Sequence, residues 1–569
     1  MAVETKGDRW TSSPVSDRWS GRGATAAPLA ILLVAAALRL PLLAAAPPGL
    51  NQDEAINAWD AYCLLKTGAD SNGAAWPLFY TRGFGSNRSA LFLYMLLPFE
   101  ALGGLSVTTA RLAAAIYGVA AVLLMYAVGK RLFGPACGLL AALLLAIVPW
   151  HVQLSRNANE PTICVLLVLL PLAALLQAQL PFRDEPDGPP RAVWAGAAGV
   201  LAGVCCYGYA AARLFLPLFL TAAVLVTWRA WWRCLRTPAG ARALAALALG
   251  VAATFGPLLL QHAAHADEMI LRGQQTWVWS AGDPPIVRAA KVIARYPAHF
   301  GPDFLFSRGD HYVIQAPPGG GQLRWFMLPL LLAGAAATVR RVRSSPAARL
   351  LLVWVILYPA GDLLAESLDN APHALRSLPG LGGLILLAAV GAVGGWQWLR
   401  RRGPRLALGA AAGLALMAAA ETARFVWLYL GEYGRTPAVY HAFHVDLMRA
   451  CDRLRPRLDG IDAVFCTVTE MNMPYSVLVV GLGSTPAQWF SEPHRTLAVG
   501  GWDTHVRDGK LNFLYWDDWK PAYEALRRNG RPDRVLFLVR PGELGLRDCP
   551  ERIEGLPETL PLLLCERTL

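Results

Sequence analysis

The sequence predicts a polytopic α-helical membrane protein that carries a small extracytoplasmic α/β domain at its C-terminus. Composition and periodicity both say so. The 569 residues are 55% hydrophobic and 16% charged, whereas a soluble domain carries roughly 25% charge, and the mean hydropathy is +0.37. The apolar residues come in runs of about 20, the length that crosses a bilayer's hydrocarbon core. A disordered chain and an ordinary soluble enzyme are excluded. The net charge of +12 would suit a nucleic-acid partner, but the excess lies in short arginine clusters between apolar runs and forms no continuous basic face. It is read as topology, and no nucleic acid is expected. The ten cysteines form no CxxC or Cys/His metal spacing, so a zinc module is not expected from them.

Residues 1–25 form a cytoplasmic tail with Lys6, Arg9, Arg18 and Arg22. Apolar runs then fall at about 26–46, 107–128, 135–150, 161–180, 192–209, 213–232, 243–262, 323–339, 349–365, 375–399 and 406–430, eleven spans in a membrane module covering 26–430. Basic residues collect at every second junction: Lys130/Arg131, Arg183/Arg191, Arg229/Arg233/Arg236/Arg242, Arg340/Arg341/Arg343/Arg349 and Arg400/Arg401/Arg402/Arg405. Under the positive-inside rule those junctions are cytoplasmic, so the loops 47–106, 151–160, 263–322 and 366–374 lie outside. The first run ends in Ala44-Ala45-Ala46, which looks like a signal-peptidase site, but two prolines follow and the run exceeds a usual h-region, so it is read as a retained span.

Residues 431–569 have another texture. Short β-rich runs, Ala463–Val468, Ser476–Val480 and Val535–Val539, alternate with helical segments such as Val439–Leu454 and Ala522–Arg528. That is an extracytoplasmic α/β domain. Its cysteines, Cys451, Cys466, Cys549 and Cys565, are even in number in a disulfide-permissive space and allow one or two bridges of undetermined pairing.

The segment Gly49-Leu50-Asn51-Gln52-Asp53-Glu54-Ala55 follows the first span and leads into an amphipathic helix ending at Gly68. Two adjacent carboxylates therefore lie at the membrane surface. They either cap the helix, favoured by its dipole, or divide the work, since adjacent helical residues point differently: one meets substrate while the other is held by a partner. Loop 151–160 carries Ser155-Arg156-Asn157-Ala158-Asn159-Glu160, and the tenth span is preceded by Pro372-His373-Ala374-Leu375-Arg376. Arg156 and Arg376 sit on the outer side, where the positive-inside bias does not explain them. An anionic partner does, against the alternative of snorkelling or pairing with Glu160 or Asp369. His373 and Arg376 are spaced i, i+3 at a helix start, where backbone N–H groups also favour an anion. The long outer loop ends in Asp303-Phe304-Leu305-Phe306-Ser307-Arg308-Gly309-Asp310-His311, aromatics and charges suited to a lid over a substrate. Asn87-Arg88-Ser89 fits a glycosylation sequon, a weak three-residue pattern.

The order of an apolar span, Asp53-Glu54 on an outer juxtamembrane helix, an aromatic-rich loop, Leu102-Gly103-Gly104-Leu105-Ser106 and Ala110-Arg111-Leu112 resembles the GT-C glycosyltransferases, specifically the protein O-mannosyltransferase and lipid A aminoarabinose transferase group. Ser155-Arg156, the Y-x-Y-x-x-x-R-x-x-x-P run from Tyr207 through Arg213 to Pro217, Phe304–Asp310 and Pro372–Pro379 extend the likeness, which fades after about residue 430. The resemblance implies a GT-C membrane enzyme of the plasma (inner) membrane. It would move a sugar from a polyprenyl-phosphate-linked donor in the outer leaflet to an extracytoplasmic acceptor, a protein hydroxyl, lipid or glycan.

By the family pattern Asp53 takes the place of the catalytic aspartate and Glu54 that of its neighbour. Arg376, His373, Arg156, Glu160, Tyr207, Arg213, Arg308 and Asp310 are then candidates to bind substrate. The chemistry agrees, because an acceptor hydroxyl needs general-base help and a phosphate leaving group needs cations, not an acid. Single displacement of this kind inverts the anomeric centre. No cofactor is certain; a divalent cation is the alternative, but metal independence is expected because carboxylates beyond Asp53, Glu54 and Glu160 do not cluster. Two rivals are a transporter or lipid flippase, which would place ionisable groups at the bilayer midplane, and a non-catalytic subunit in which Asp53 is dispensable.

Overall fold

The computed structural model describes residues 23–266, 277–280, 282–365, 372–499, 502–528, 533–547 and 549–568. The basic tail with Lys6, Arg9, Arg18 and Arg22, and Asp369 before the tenth span, lie outside the described residues. The chain forms two compact units. One takes in residues up to Pro41 with 114–156 and 160–426; the other combines 42–113, 157–159 and 427–569.

The first unit is helical. Among the described residues five helices are long and apolar enough to cross a membrane, or six if Ala210–Val226 and Trp228–Leu235, bent by 80°, make one span. Other runs expected as spans form shorter apolar helices, Ala26–Arg39, Pro135–Ile147, Ala192–Cys205 and Pro346–Leu357. The 13 residues of Pro135–Ile147 reach only about 20 Å, against about 30 Å of hydrocarbon. Proline is the physical reason: Pro135 and Pro149 each occupy a first helical position, so one apolar run becomes two helices that break at Val148. Arg39, Lys130/Arg131, Arg340/Arg341 and Arg400–Arg402 end their helices, where cations meet the negative dipole end.

Close backbone packing depends on glycine. A Cβ on Gly391 would lie 1.8 Å from the Leu330 carbonyl oxygen, and one on Gly334 2.0 Å from that of Leu387. The helices Met327–Arg341 and Leu381–Arg402 thus touch through their backbones, the mode of association that small residues permit between membrane helices.

The second unit is built on a seven-stranded sheet of order β4-β5-β6-β3-β7-β9-β8. Its strands are β3 (Ala463–Cys466), β4 (His494–Val499), β5 (Trp502–Asp508), β6 (Leu511–Phe513), β7 (Arg534–Val539), β8 (Glu551–Ile553) and β9 (Leu562–Thr568); a separate hairpin pairs β1 (Tyr80–Gly83) with β2 (Ser86–Ser89). β3 lies parallel to β6 and β7, and the remaining pairings are antiparallel. Residues alternate strictly between two faces. Val464, Cys466, Leu536, Leu538, Leu562 and Leu564 join one core with Leu50, Ile56, Trp59 and Cys63 of the 50–67 segment. Phe465, Val535, Phe537 and Leu563 form the other, under Trp519, Tyr523 and Leu526.

The α/β texture of 431–569 is therefore present, with one correction. Ser476–Val480 is not a strand; it lies inside the helix Pro474–Leu482. Pro474 opens that helix and Gly483 closes it in the left-handed region, while every residue between is buried, so its apolar run carries no helical stripe. The segment Val439–Leu454 is split into Pro437–Ala442 and Val445–Leu454 by His444, whose φ is 45°. One disulfide joins Cys549 to Cys565, and Cys451 and Cys466 are free and buried.

Candidate active site

The helix Gln52–Thr67 begins at a capping box: Asn51 accepts from the N–H of Asp53, Glu54 reaches back to the N–H of Asn51, and Gly68 terminates the helix at φ 75°. Glu54 is 1% exposed. Arg111 grips it with both arms of its fork, Nε to Oε1 at 2.8 Å and Nη2 to Oε2 at 2.7 Å. The remaining guanidinium hydrogens go to the carbonyls of Leu43, Pro47 and Gly49, at 2.9, 2.6 and 3.1 Å. Glu54 Oε1 also accepts the N–H of Ala158 at 2.9 Å. Its lone pairs are committed to structure. Asp53, one residue earlier and rotated by about 100° around the helix, is only partly buried. The two adjacent carboxylates are in unlike positions: Glu54 is fully buried and locked by Arg111, and Asp53 is only partly buried.

Sequence reading missed a second polar group on this helix. Asn57 and Asp60 follow Asp53 at i+4 and i+7, one helical face. Both are fully buried. Arg88 of β2 donates to Asn57 Oδ1 at 2.6 Å and to Asp60 Oδ2 at 2.5 Å, and Ser71 donates to Asp60 through its amide at 3.2 Å and also through its hydroxyl. Burial pushes the Asp60 carboxyl up to about 6, against the pull of Arg88. The signal available was the run of polar residues at helical spacing in an otherwise apolar helix. Arg88 had appeared only as the middle of a sequon.

In the helical unit the other candidates take up distinct positions. Arg156 is 2% exposed and donates to the carbonyls of Leu38, Arg39 and Pro41 at 3.2, 2.9 and 2.8 Å, capping the C-terminal end of the Gly23–Arg39 helix. Glu160 opens a buried 3₁₀ turn, Glu160–Ile163. Tyr207 donates its hydroxyl to the Thr254 carbonyl at 2.7 Å. Arg213 donates to the Cys206 carbonyl at 2.9 Å and stands 3.4 Å from His262 Nε2. Arg308 is largely exposed, with Asp303 at 3.9 Å.

Asp310, His373 and Arg376 do come together. Asp310 is buried and accepts the amides of Tyr312 at 2.8 Å and Ala374 at 2.5 Å. Asp362, also buried, accepts the amide of His373 at 3.0 Å and His299 Nε2 at 2.8 Å, with Arg295 at 3.3 Å and Arg376 at 3.7 Å. The amides at the start of the Ala374–Ser377 turn are thus taken by the protein's own carboxylates. That corrects the expectation that they stand ready for a foreign anion. Burial and the Arg376 charge drive the His373 imidazole down to about 3, so it is neutral, and burial raises Asp310 to about 7 despite its two amide donors. Arg376 remains 16% exposed at its side chain, the most accessible cation of this cluster.

Residues 87–257 match the family model of dolichyl-phosphate-mannose-protein mannosyltransferases. No curated relative matches the sequence. Among solved structures the chain is similar to ArnT from Cupriavidus metallidurans bound to undecaprenyl phosphate, with a TM-score of 0.51 at 15% identity over 90% of this chain and 92% of that one. The same protein in the apo state gives 0.51 at 14%, over 90% and 93%. The archaeal oligosaccharyltransferase AglB from Archaeoglobus fulgidus, in complex with an inhibitory peptide and a dolichol-phosphate, gives 0.48 at 12%, over 92% of this chain and 70% of that one. The chain shares the fold of ArnT. Its resemblance to the GT-C glycosyltransferases lies both in the sequence of 87–257 and in the arrangement of the chain.

Proposed function

We propose that the protein is a membrane glycosyltransferase that transfers a sugar from a polyprenyl-phosphate-linked donor to an extracytoplasmic acceptor by inverting single displacement. The observation that carries the reading is the division between Glu54, buried and held by Arg111, and Asp53, partly accessible in the same helix turn. The acceptor oxygen attacks the anomeric carbon, the bond from that carbon to the phosphate oxygen breaks, and Asp53 takes the acceptor's proton as general base. The polyprenyl phosphate leaves as an anion without an acid, and Arg376 is the cation assigned to it. Arg156, Tyr207 and Arg213 support the scaffold through the carbonyl contacts described above. Residues 47–106 and 431–569 lie outside the plasma membrane in this reading.

The family match and the ArnT likeness support a lipid-phosphate donor; the sugar and acceptor are open to assay. Purified protein is incubated with a panel of radiolabelled polyprenyl-phosphate sugars and membrane extract. Consumption of one donor with label appearing in a product is the expected result, and Asp53→Asn is expected to abolish transfer while donor binding is retained. Near-normal turnover by folded Asp53→Asn protein would remove Asp53 from catalysis and favour a binding subunit.

A further inference from the structure

The edge hairpin β4–β5 holds a group of side chains that the transferase reading does not use. His494 pairs with Asp508 and Arg495 with Arg507, but the next pair is Thr496 with His505, so Val506 is an extra residue in β5. This is a β-bulge. In a regular strand His505 and Asp508, three apart, would face opposite sides. The bulge returns His505 to the face of His494 and Asp508, and the three converge.

One nitrogen of each histidine and a carboxylate oxygen lie within 4.8 Å of one another. His494 Nδ1 is 2.8 Å and His505 Nδ1 2.5 Å from the same atom, Asp508 Oδ1. Asp508 is 3% exposed, and its second oxygen is buried without a hydrogen-bond partner. His494 Nε2 stands 2.7 Å from the Trp489 carbonyl oxygen. A carbonyl only accepts, so Nε2 carries the hydrogen, and in the neutral ring Nδ1 then presents a lone pair. That lone pair would face a carboxylate lone pair, so either a proton on Nδ1 or a metal ion has to lie between them. A backbone carbonyl holding the far nitrogen of a ligating histidine is the usual support of a metal site. Tyr475 stacks on His505 and Trp489 lies against His494, each at 4.1 Å between ring centroids, so the imidazoles are held in place.

We propose that His494, His505 and Asp508 bind a zinc ion through the two Nδ1 atoms and the carboxylate, with water completing four-coordination. Imidazole and carboxylate donors in this number suit Zn²⁺. Trp489, which abuts His494, donates its indole N–H to the Ser71 carbonyl at 2.8 Å, so the ion would fix the edge of the sheet against the loop that follows the Gln52–Thr67 helix. The site is independent of which sugar, or whether any sugar, is transferred.

The test uses full-length protein in detergent micelles, stripped by chelator and titrated with Zn²⁺ by calorimetry, and with Co²⁺ while its visible spectrum is recorded. Wild type is expected to bind one equivalent, to show the d–d bands of tetrahedral cobalt and to melt at higher temperature with zinc. His505→Ala and Asp508→Asn are expected to lose the bands and to weaken zinc binding at least about tenfold. His494→Gln, on the exposed rim of the edge strand, provides a variant whose folding is least at risk, and it should do the same. Wild-type protein that binds no zinc and gives no cobalt band would show that a proton alone satisfies the cluster and overturn the proposal. So would a folded His494→Gln protein that binds zinc as wild type does.

Discussion

At the scale of single residues, the pair of adjacent carboxylates behaves as two different groups because the helix turns them apart. Glu54 and Arg111 are both essentially inaccessible, so removing one partner strands a buried charge. Arg111→Met is expected to cost about 3–5 kcal/mol, seen as a large fall in thermal unfolding temperature in detergent, whereas Glu54→Gln with Arg111→Met should recover much of the loss; equal melting of the single and double variants would contradict the pairing. Asp60 gives a pH signature. Its carboxyl is raised to about 6 from an unfolded value near 3.9, so the native state holds the proton longer and stability falls as pH rises between about 4 and 6. Asp60→Asn should flatten that part of the curve of melting temperature against pH. Arg376→Ala should weaken donor binding by about ten- to hundredfold, the loss of one charge-assisted contact, and Arg376→Lys should not restore it fully because the planar fork is gone; binding within twofold of wild type would assign the phosphate elsewhere. Asp53, Glu54, Asp310, His373 and Arg376 stand out in the sequence as candidates because charge in a loop of an apolar chain is conspicuous. Asp60, Arg88 and the capping work of Arg156 do not, since their partners come from a hairpin and from backbone carbonyls that leave no mark in the sequence.

At the scale of elements, legibility followed the strength of the local signal. The helix 52–67 shows its box and its terminal glycine in the sequence and forms between those marks. The strands β3 and β7 were visible from β-branched and aromatic runs, yet Pro474–Leu482 reads the same way and is helical, because complete burial erases the difference between periods. The bulge at Val506 was invisible, since no residue type announces it. Helix contact, by contrast, is written in glycine. On the helix Leu381–Arg402 a methyl at Gly391 would strike the Leu330 carbonyl, while one at Gly395 meets nothing within 4 Å. Gly391→Ala should therefore cost about 1–3 kcal/mol through forced separation of the helices, and Gly395→Ala should be neutral or slightly stabilising. Thermal unfolding of the two variants side by side decides this; equal melting temperatures would mean that the helices slide without cost.

For the whole molecule, the alternation of basic junctions predicts that residues 47–106 and the C-terminal domain share one side of the membrane. Packing within the sheet-bearing unit supplies an independent reason. Leu50, Ile56, Trp59 and Cys63 lie in one hydrophobic core with Leu447, Leu478 and Leu538, and a core cannot close across a bilayer. Two segments nearly four hundred residues apart in sequence must therefore emerge on the same face, whichever face it is. The arginines predict which: Arg229, Arg233, Arg236 and Arg242 lie about the turn between Trp228–Leu235 and Pro238–Ala264, and under the positive-inside rule that turn is expected to be cytoplasmic. In a background without accessible cysteines, Ala74→Cys and Ala525→Cys, both exposed, should react with a membrane-impermeant thiol reagent on intact cells, and Arg236→Cys only after permeabilisation. Labelling of Ala74→Cys without Ala525→Cys would break the shared-core argument. Labelling of Arg236→Cys alone would leave the core intact and invert the orientation, and with it the side on which the proposed transfer at Asp53 would take place.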